Sequence, residues 1–210
     1  MTQNHLSSRI ADALARIGAL TRAHEQSGAQ KATLSPLQAR ILVLLRRRSE
    51  LRVGQIASEL MVTYGTISAA ASVLETKGLV TKTQDPGEHR AVVVSLTRKG
   101  QTTAEEADGW SGELLEPAME GLMPKESSAL LAVLLKLIRS FEDLGMISTT
   151  RMCITCKYFD PNKGNESKPH FCRLLEAPIG NEDLQVDCPD HQQAQAERLD
   201  ELRTSFELTP

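Results

Sequence analysis

The chain has few aromatic residues, no long apolar run, and no cysteine in its first 152 positions. Aromatic residues make up 3% of its 210 residues, so a buried core has to come mainly from Leu, Ile, Val and Ala, which favours helices. The longest apolar run, residues 129–135, is far shorter than the roughly 20 residues that a membrane-spanning helix needs. The first residues lack the apolar segment of an export signal, so we expect a cytoplasmic protein without a membrane partner.

Charge is distributed unevenly along the chain. Residues 1–100 contain 14 Lys and Arg against 7 Asp and Glu, whereas residues 101–210 contain 10 against 20. A basic first half joined to an acidic second half indicates that the first half meets a polyanion. Solvated faces segregated by chance would give the same counts, so this observation leaves both explanations open.

Apolar spacing predicts helices in the first part of the chain. One apolar stripe at spacings of three and four runs through residues 5–26, formed by Leu6, Ile10, Leu14, Ile17 and Leu20. Ser27-Gly28 is expected to end this helix. Ser35 followed by Pro36 predicts the start of a second helix, because a capping hydroxyl and a proline in the first turn favour that position.

A helix-turn-helix unit and a hairpin are predicted next. Residues 53–60 and a helix beginning near Thr63 are two short helices joined by a tight turn. The turn residues 85–87 between 79–83 and 91–96 predict a hairpin, the wing. Further helices are expected up to Met123 and over residues 127–144. The last has more apolar surface than one core face requires, which predicts burial against a second subunit.

This order of elements resembles the MarR family of bacterial transcription regulators over about residues 5–145. The resemblance is carried by LSPLQARILVLL (34–45), IASEL (56–60), TISAAASVLETKGLVTK (66–82) and DPGEHRAVVVSLTRKG (85–100). It implies a mainly α fold with a small β wing. The predicted segments are an N-terminal dimerisation helix (1–34), a winged helix-turn-helix domain (35–100), C-terminal dimerisation helices (101–148) and an irregular, metal-bound cysteine-rich extension with a terminal helix (149–210).

The resemblance implies a homodimer that binds double-stranded DNA at a pseudo-palindromic operator. The second helix of the motif would enter the major groove and the wing tip the minor groove. The predicted DNA-binding residues are Tyr64, Thr66, Ser68 and Ser72 on the helix and Lys82, His89 and Arg90 in the wing.

The chain departs from the family pattern in two places that concern DNA contacts. The second helix has no cation before Lys77, and Glu88-His89-Arg90 stands where the family typically has Asp-Arg-Arg. Affinity would therefore depend on phosphate contacts from cations elsewhere, for which the sequence offers Arg46, Arg47, Arg48, Arg52, Lys82, Arg90, Arg98 and Lys99.

The predicted function is transcriptional regulation, with repression favoured over activation. The sequence contains no nucleophile elbow and no phosphate-binding Gly-rich loop, and its few His are scattered, so we predict no enzyme. Two alternatives remain, a redox or electron-transfer metalloprotein and a protein-interaction adaptor, each using the winged helix only as a dimer scaffold. Whether a small-molecule effector binds between the dimer helices and the winged domain is left open.

All four cysteines lie between positions 153 and 188. In a chain without an export signal, such clustering points to metal ligation more than to disulfides, although structural cysteines remain an alternative. The predicted ligands of one metal centre per chain are Cys153, Cys156, Cys172 and Cys188.

Zinc and an iron–sulfur cluster are equal alternatives for this centre. Cys153-x2-Cys156 and Cys188-x2-His191 are two-ligand knuckles that suit tetrahedral zinc. The isolated Cys172 and Cys188, with Pro189 after the last cysteine and aromatic residues nearby, suit an iron–sulfur cluster. Loss of the centre would unfold the extension and move the adjacent helix, which predicts a metal- or redox-responsive regulator.

Overall fold

The structure is a computed structural model that describes residues 2–88 and 91–206. The chain divides into two compact units, unit 1 (Met1–Ala118) and unit 2 (Met119–Pro210). The helix of residues 124–143, which falls in the predicted segment of C-terminal dimerisation helices, groups with the cysteine-rich extension. Within the described ranges, no helix combines the length and apolar composition needed to cross a membrane.

Unit 1 contains the helix-turn-helix and the hairpin wing predicted from the sequence. Its elements are α1 (Thr2–Lys31), α2 (Pro36–Arg48), β1 (Glu50–Arg52), α3 (Val53–Glu59), α4 (Tyr64–Thr76), β2 (Val80–Gln84), β3 (Val92–Leu96) and α5 (Arg98–Met119). Helices α3 and α4 form the motif, and β2 and β3 form the hairpin.

The predicted end of α1 at Ser27-Gly28 was wrong, since the helix continues to Lys31. Gly28 lies inside the helix, where a Cβ would fall 2.5 Å from Cδ2 of Trp110 on α5. A glycine within a helical pattern therefore marks a close packing contact here rather than a helix end.

Helix α2 begins with a capping box and supplies the centre of the unit 1 core. The Ser35 hydroxyl accepts the N–H of Gln38 at 3.2 Å, and the Gln38 side chain accepts the N–H of Ser35 at 3.1 Å. These two bonds satisfy backbone donors that the first helical turn leaves without partners. The fully buried side chains of α2 are Ile41, Leu42 and Leu45.

The wing is the outer part of a three-stranded antiparallel sheet with strand order β1-β3-β2. The buried Val94 of β3 pairs with Leu51 of β1 on one side and with Lys82 of β2 on the other. The sequence did not predict β1, because three residues are too few for an alternating pattern to be recognised. The central position of β3 holds the base of the wing by hydrogen bonds on both sides.

Unit 2 contains short strands and 3-10 turns that the sequence did not predict. Its helices are α6 (Pro124–Asp143) and α7 (Ala196–Ser205), its strands are β4 (Phe159–Asp160), β5 (His170–Cys172) and β6 (Ala177–Ile179), and its 3-10 turns are Cys153–Thr155 and Asn181–Asp183. The strands form an antiparallel sheet in the order β4-β5-β6. Each strand has only two or three residues, which is too short to give a sequence signal.

The extension packs on a core that it shares with α6 and α7. Helix α6 contributes the fully buried Ala132 and Leu135, and α7 contributes Leu202. The ring of Phe159 contacts that of Phe206 edge-on, with 5.7 Å between ring centroids. The flanking helices therefore supply apolar surface that the extension lacks by itself.

Candidate nucleic-acid interface and cysteine cluster

The turn between α3 and α4 is held by backbone bonds and by a capping side chain. The N–H of Val62 donates to the carbonyl of Ala57 at 3.0 Å, and Met61 adopts a positive φ of 54°. The Thr63 hydroxyl accepts the N–H of Thr66 at 3.3 Å and so caps α4. Helix α4 then packs on the core through its fully buried residues Ile67, Ala71 and Leu74.

The predicted DNA-binding residues of α4 lie on its solvent-facing side. Tyr64 is 52% exposed, Thr66 and Ser72 are exposed, and Ser68 is half-buried. Because residues four apart lie on one side of a helix, Tyr64, Ser68 and Ser72 form one line along α4. Thr66 lies on the opposite edge of the exposed face of α4. The middle of this face, between Thr66 and the line of hydroxyls, is formed by the exposed small or apolar residues Gly65, Ala69 and Val73.

Several polar groups near α4 already have partners within unit 1. The Thr66 hydroxyl lies 2.8 Å from that of Thr63, and the Ser72 hydroxyl donates to the carbonyl of Ser68 at 3.0 Å. Lys82 reaches from β2 to the Ser72 hydroxyl at 3.0 Å and to the Glu75 carboxylate at 2.9 Å. The structure therefore brings the predicted Lys82 onto α4, where an acidic side chain balances its charge.

The start of the wing turn is anchored by an arginine from the end of β1. Arg52 Nε donates to Asp85 Oδ2 at 2.7 Å and its Nη1 donates to Glu88 Oε2 at 2.9 Å. The other Asp85 oxygen accepts the backbone N–H of Gly87 at 2.8 Å and of Glu88 at 3.1 Å. Hydrogen bonds from Arg52 and from these backbone groups lower the pKa of Asp85. The predicted His89 and Arg90 lie outside the described residues.

Arg52 was predicted from the sequence to contact phosphate, whereas in the structure it anchors the wing turn through Asp85. Asp85 starts a turn in which an aspartate side chain typically accepts the backbone N–H two residues on. That local signal was available from the sequence. The pairing of Asp85 with Arg52, 33 residues earlier, depends on the unpredicted strand β1.

We predict that Arg52→Gln raises the pKa of Asp85 towards the ordinary aspartate value. Since the folded-state pKa is lowered, the interaction stabilises the wing above the unfolded-state pKa, and this contribution is lost as the pH falls through the folded-state value. Carboxyl carbon NMR titration of Asp85 measures the change. Arg46→Gln is the matched control and should leave the Asp85 titration unchanged; an unaltered curve in Arg52→Gln would contradict the assigned anchor.

The arginines at the end of α2 are paired with acidic residues. Arg46 and Arg47 both donate to the carboxylate of Asp108 on α5, and Arg48 donates to Glu59 at 3.0 Å. These three predicted phosphate contacts therefore stabilise helix packing in unit 1. Arg98 and Lys99 are exposed, and Lys99 Nζ donates to the carbonyl of Lys77 at 3.2 Å.

The backbone of unit 2 brings the segments that carry the four cysteines together. The N–H of Cys156 donates to the carbonyl of Cys153 at 2.9 Å across the first 3-10 turn. Cys172 on β5 pairs with Phe159 on β4. From the last segment, the N–H of Cys188 donates to the carbonyl of Arg151 at 2.9 Å, and the N–H of Cys153 donates to the carbonyl of Gln185 at 3.1 Å.

The electrostatics of the thiols agree with this convergence. All four cysteines are free thiols. Burial, together with the charges of the other three cysteines, raises the pKa of Cys153 to about 11. Burial also raises the pKa of Cys188. Backbone N–H groups oppose these shifts, from Gln185 to Cys153 Sγ at 3.2 Å and from Asp190 to Cys188.

Both histidines near the cysteines have other polar partners. His170 accepts the N–H of Asn162 at Nδ1, at 3.2 Å, and its Nε2 lies 2.9 Å from Asn181 Oδ1. His191 Nε2 lies 3.0 Å from the Thr155 hydroxyl. Across residues 2–88 and 91–206, no three His, Cys, Asp or Glu side chains are arranged to hold a metal ion in this structure. The metal ligands therefore stay a prediction.

Residues 32–91 match the model of the MarR family. Among known proteins, an uncharacterized HTH-type transcriptional regulator, YkoM of Bacillus subtilis (strain 168), is 27% identical over 113 residues, which cover 54% of this chain and 73% of that protein. The family match ends before β3 and well before the first cysteine.

Solved structures share the fold. The transcriptional regulator BldR of Sulfolobus solfataricus aligns with a TM-score of 0.58 and 26% identity, over 67% of this chain and 99% of that chain. FabT of Streptococcus pneumoniae, solved in complex with DNA, aligns with a TM-score of 0.57 and 23% identity, over 66% of this chain and 99% of that chain. The likeness to FabT shows the fold alone. Together these comparisons confirm the predicted mainly helical winged-helix fold with a small β wing.

Proposed function

We propose that this chain is a sequence-specific, DNA-binding transcriptional regulator of the MarR type and that it acts as a repressor. The observation that carries the proposal is the exposed surface of α4 beside an anchored wing, within a unit whose residues 32–91 match the MarR family. An α-helix of this kind fits the major groove, and the wing is then placed to reach the backbone or the minor groove.

The exposed surface of α4 suits thymine-rich half-sites better than guanine-rich ones. No arginine or lysine precedes Lys77 on this helix, so the bidentate contact of arginine with guanine is absent from it. Ala69 and Val73 offer apolar surface for thymine methyl groups, and Ser68 and Tyr64 offer hydroxyls on one side of that surface. We propose that Arg90, with His89, supplies the minor-groove contact from the wing tip.

We propose that two copies of the chain bind one pseudo-palindromic operator. The α1 stripe of Leu6, Ile10, Leu14, Ile17 and Leu20 is between 39% and 59% exposed in the single chain. Covering these side chains in a second copy removes apolar surface from water. A symmetric dimer would present two α4 helices to half-sites about 34–36 Å apart, one turn of the duplex.

Binding to DNA from upstream of the protein's own gene tests the proposal. We expect affinity for one palindrome to fall steeply between about 50 and 200 mM salt, because phosphate contacts release counterions. Arg90→Ala should weaken binding and reduce the salt slope by about one, whereas Lys163→Ala, an exposed cation of unit 2, should change neither. Fluorescence anisotropy measures both quantities. A monomer in analytical ultracentrifugation would contradict the paired half-sites.

A second candidate is a protein-interaction adaptor that has lost affinity for DNA. The pairing of Arg46 and Arg47 with Asp108, and of Lys82 with Glu75, favours it, because these cations are neutralised within the chain. Weak binding that is insensitive to both sequence and salt in the same titration would support this candidate over the regulator.

We also propose that the cysteine-rich extension makes the regulator responsive to metal or redox state. Helix α6 and the first 3-10 turn of the extension are connected by the buried Arg139, whose Nη1 donates to the carbonyl of Ile154 at 2.9 Å. Unfolding of the turn would break this bond and free the helix surface that it covers. A change of α6 would in turn alter the proposed dimer.

A further inference from the structure

We propose that Cys153, Cys156, Cys172 and Cys188 bind one thiophilic metal centre through four thiolates, with neither histidine as a ligand. The inference rests on the metal-responsive part of the proposed function and is independent of DNA binding by unit 1. Two centres take such a set, a zinc ion and an iron–sulfur cluster.

Backbone contacts hold together the three chain segments that carry the four cysteines. The first 3-10 turn carries Cys153 and Cys156, and the β4-β5 pairing brings Cys172 alongside Phe159. The N–H of Cys188 donates to the carbonyl of Arg151, which lies two positions before Cys153 in the chain. These are backbone bonds, so the proximity of the three segments does not depend on how each thiol is rotated. The 152 residues before Cys153 contain no cysteine.

A backbone donor is aimed at one of the sulfurs. The N–H of Gln185 lies 3.2 Å from Cys153 Sγ. Such bonds favour a charged sulfur, which is the form that ligates metal. Hydrogen bonds to the sulfurs are also a means by which proteins adjust an iron–sulfur cluster. A cysteine that only filled a core position would gain little from them.

The contacts of the histidines disfavour them as ligands, including in the zinc arrangement built on Cys188-x2-His191. His170 has partners at both ring nitrogens, and His191 Nε2 contacts the Thr155 hydroxyl. Ligation through either nitrogen of His170, or through Nε2 of His191, would break one of these bonds. The proposed donor set is therefore the four thiols, and sulfur ligands select against hard cations such as magnesium and calcium.

The metal content of the full-length chain tests this proposal. The protein is produced with both zinc and iron supplied, purified without oxygen, and examined for metals, acid-labile sulfide and visible absorption. About one zinc per chain without colour, or iron with matching sulfide and a band at about 400 nm, would support the four-thiolate site and identify its occupant. A chain that takes up neither zinc ions nor iron with sulfide after reconstitution would overturn it.

Variants and thiol counting test the ligand set. Cys172→Ser and Cys188→Ser are each expected to weaken binding of the identified metal about 100-fold, whereas His191→Gln should retain it. Since a serine at these positions can also disturb folding, the wild-type protein supplies a second measurement. All four thiols should resist an aromatic disulfide reagent when metal is bound and react after chelation. The assignment would be overturned if fewer than four thiols were protected, or if His191→Gln lost as much metal as the two cysteine variants. Operator binding measured on the same samples tests DNA binding by unit 1, so a failure of the proposed function can be distinguished from a failure of the proposed metal site.

Discussion

Gly100→Ala is expected to lower the free energy of unfolding of unit 1 by about 3 kcal/mol or more. A Cβ at this position would fall 1.8 Å from the carbonyl oxygen of Leu79 and 2.9 Å from its carbonyl carbon. The obstacle is backbone, which cannot rotate away as a flexible side chain can. The same carbonyl accepts the N–H of Thr97 at 3.0 Å, so moving it also breaks the link between the end of α4 and the start of α5.

Gly54→Ala on α3 is the matched control, because nothing lies within 4 Å of a Cβ built there. It should leave stability unchanged or raise it by up to about 1 kcal/mol through better helix propensity. Trp110 is the one tryptophan of the chain and packs within unit 1, so its fluorescence during denaturant unfolding reports on this unit. Protein concentration is held fixed, since dimerisation would add to apparent stability. Equal midpoints for the two alanine variants would refute the assigned contact.

Gly100 also explains in physical terms why the winged helix could be predicted from its sequence motif. The stretches KGLV (77–80) and LTRKG (96–100) lie 16 or more residues apart, yet the Thr97 hydroxyl donates to the carbonyl of Gly78 at 2.7 Å and accepts the N–H of Gly100 at 3.0 Å. Gly78 itself has a positive φ of 70°. Gly78, Thr97 and Gly100 each serve a specific contact or backbone conformation, so the pattern carried information that predicts the winged helix.

Features that depend on contacts between residues far apart in the chain could not be predicted from local sequence patterns. Gly28 was interpreted as a helix end because a local pattern does not contain Trp110, 82 positions away. Arg52 has the charge of a phosphate contact, and only the strand pairing of β1 shows that it faces Asp85. For unit 2, the cysteine spacing predicted the location of a metal site. Its strands have only two or three residues and therefore gave no periodic pattern in the sequence.

The structural role of Arg139 was also not predicted, although an arginine within an apolar helical face indicates a buried, hydrogen-bonded side chain. It is 6% exposed, and its two terminal nitrogens donate to the carbonyls of Ile154 and Leu199, each at 2.9 Å. Desolvation lowers the pKa of Arg139, and the nearby Asp143 carboxylate opposes this shift. A buried guanidinium is favourable only when its donors have acceptors, so this residue joins α6, the cysteine turn and the start of α7.

Arg139→Ala is therefore expected to destabilise the extension by about 3 kcal/mol, because it leaves two carbonyls without their donor and opens a cavity beside Leu202. Hydrogen exchange should become about 100-fold faster in peptides that span residues 150–160 and 195–205, with exchange across α4 unchanged. Arg203→Ala is the control, since its side chain is 54% exposed and pairs with Asp143 at the surface, and the cost should stay below about 1 kcal/mol. Similar exchange rates in the two variants would mean that Arg139 does not connect α6 to the cysteine turn. In that case a response to metal would need another route to the helices of the proposed dimer.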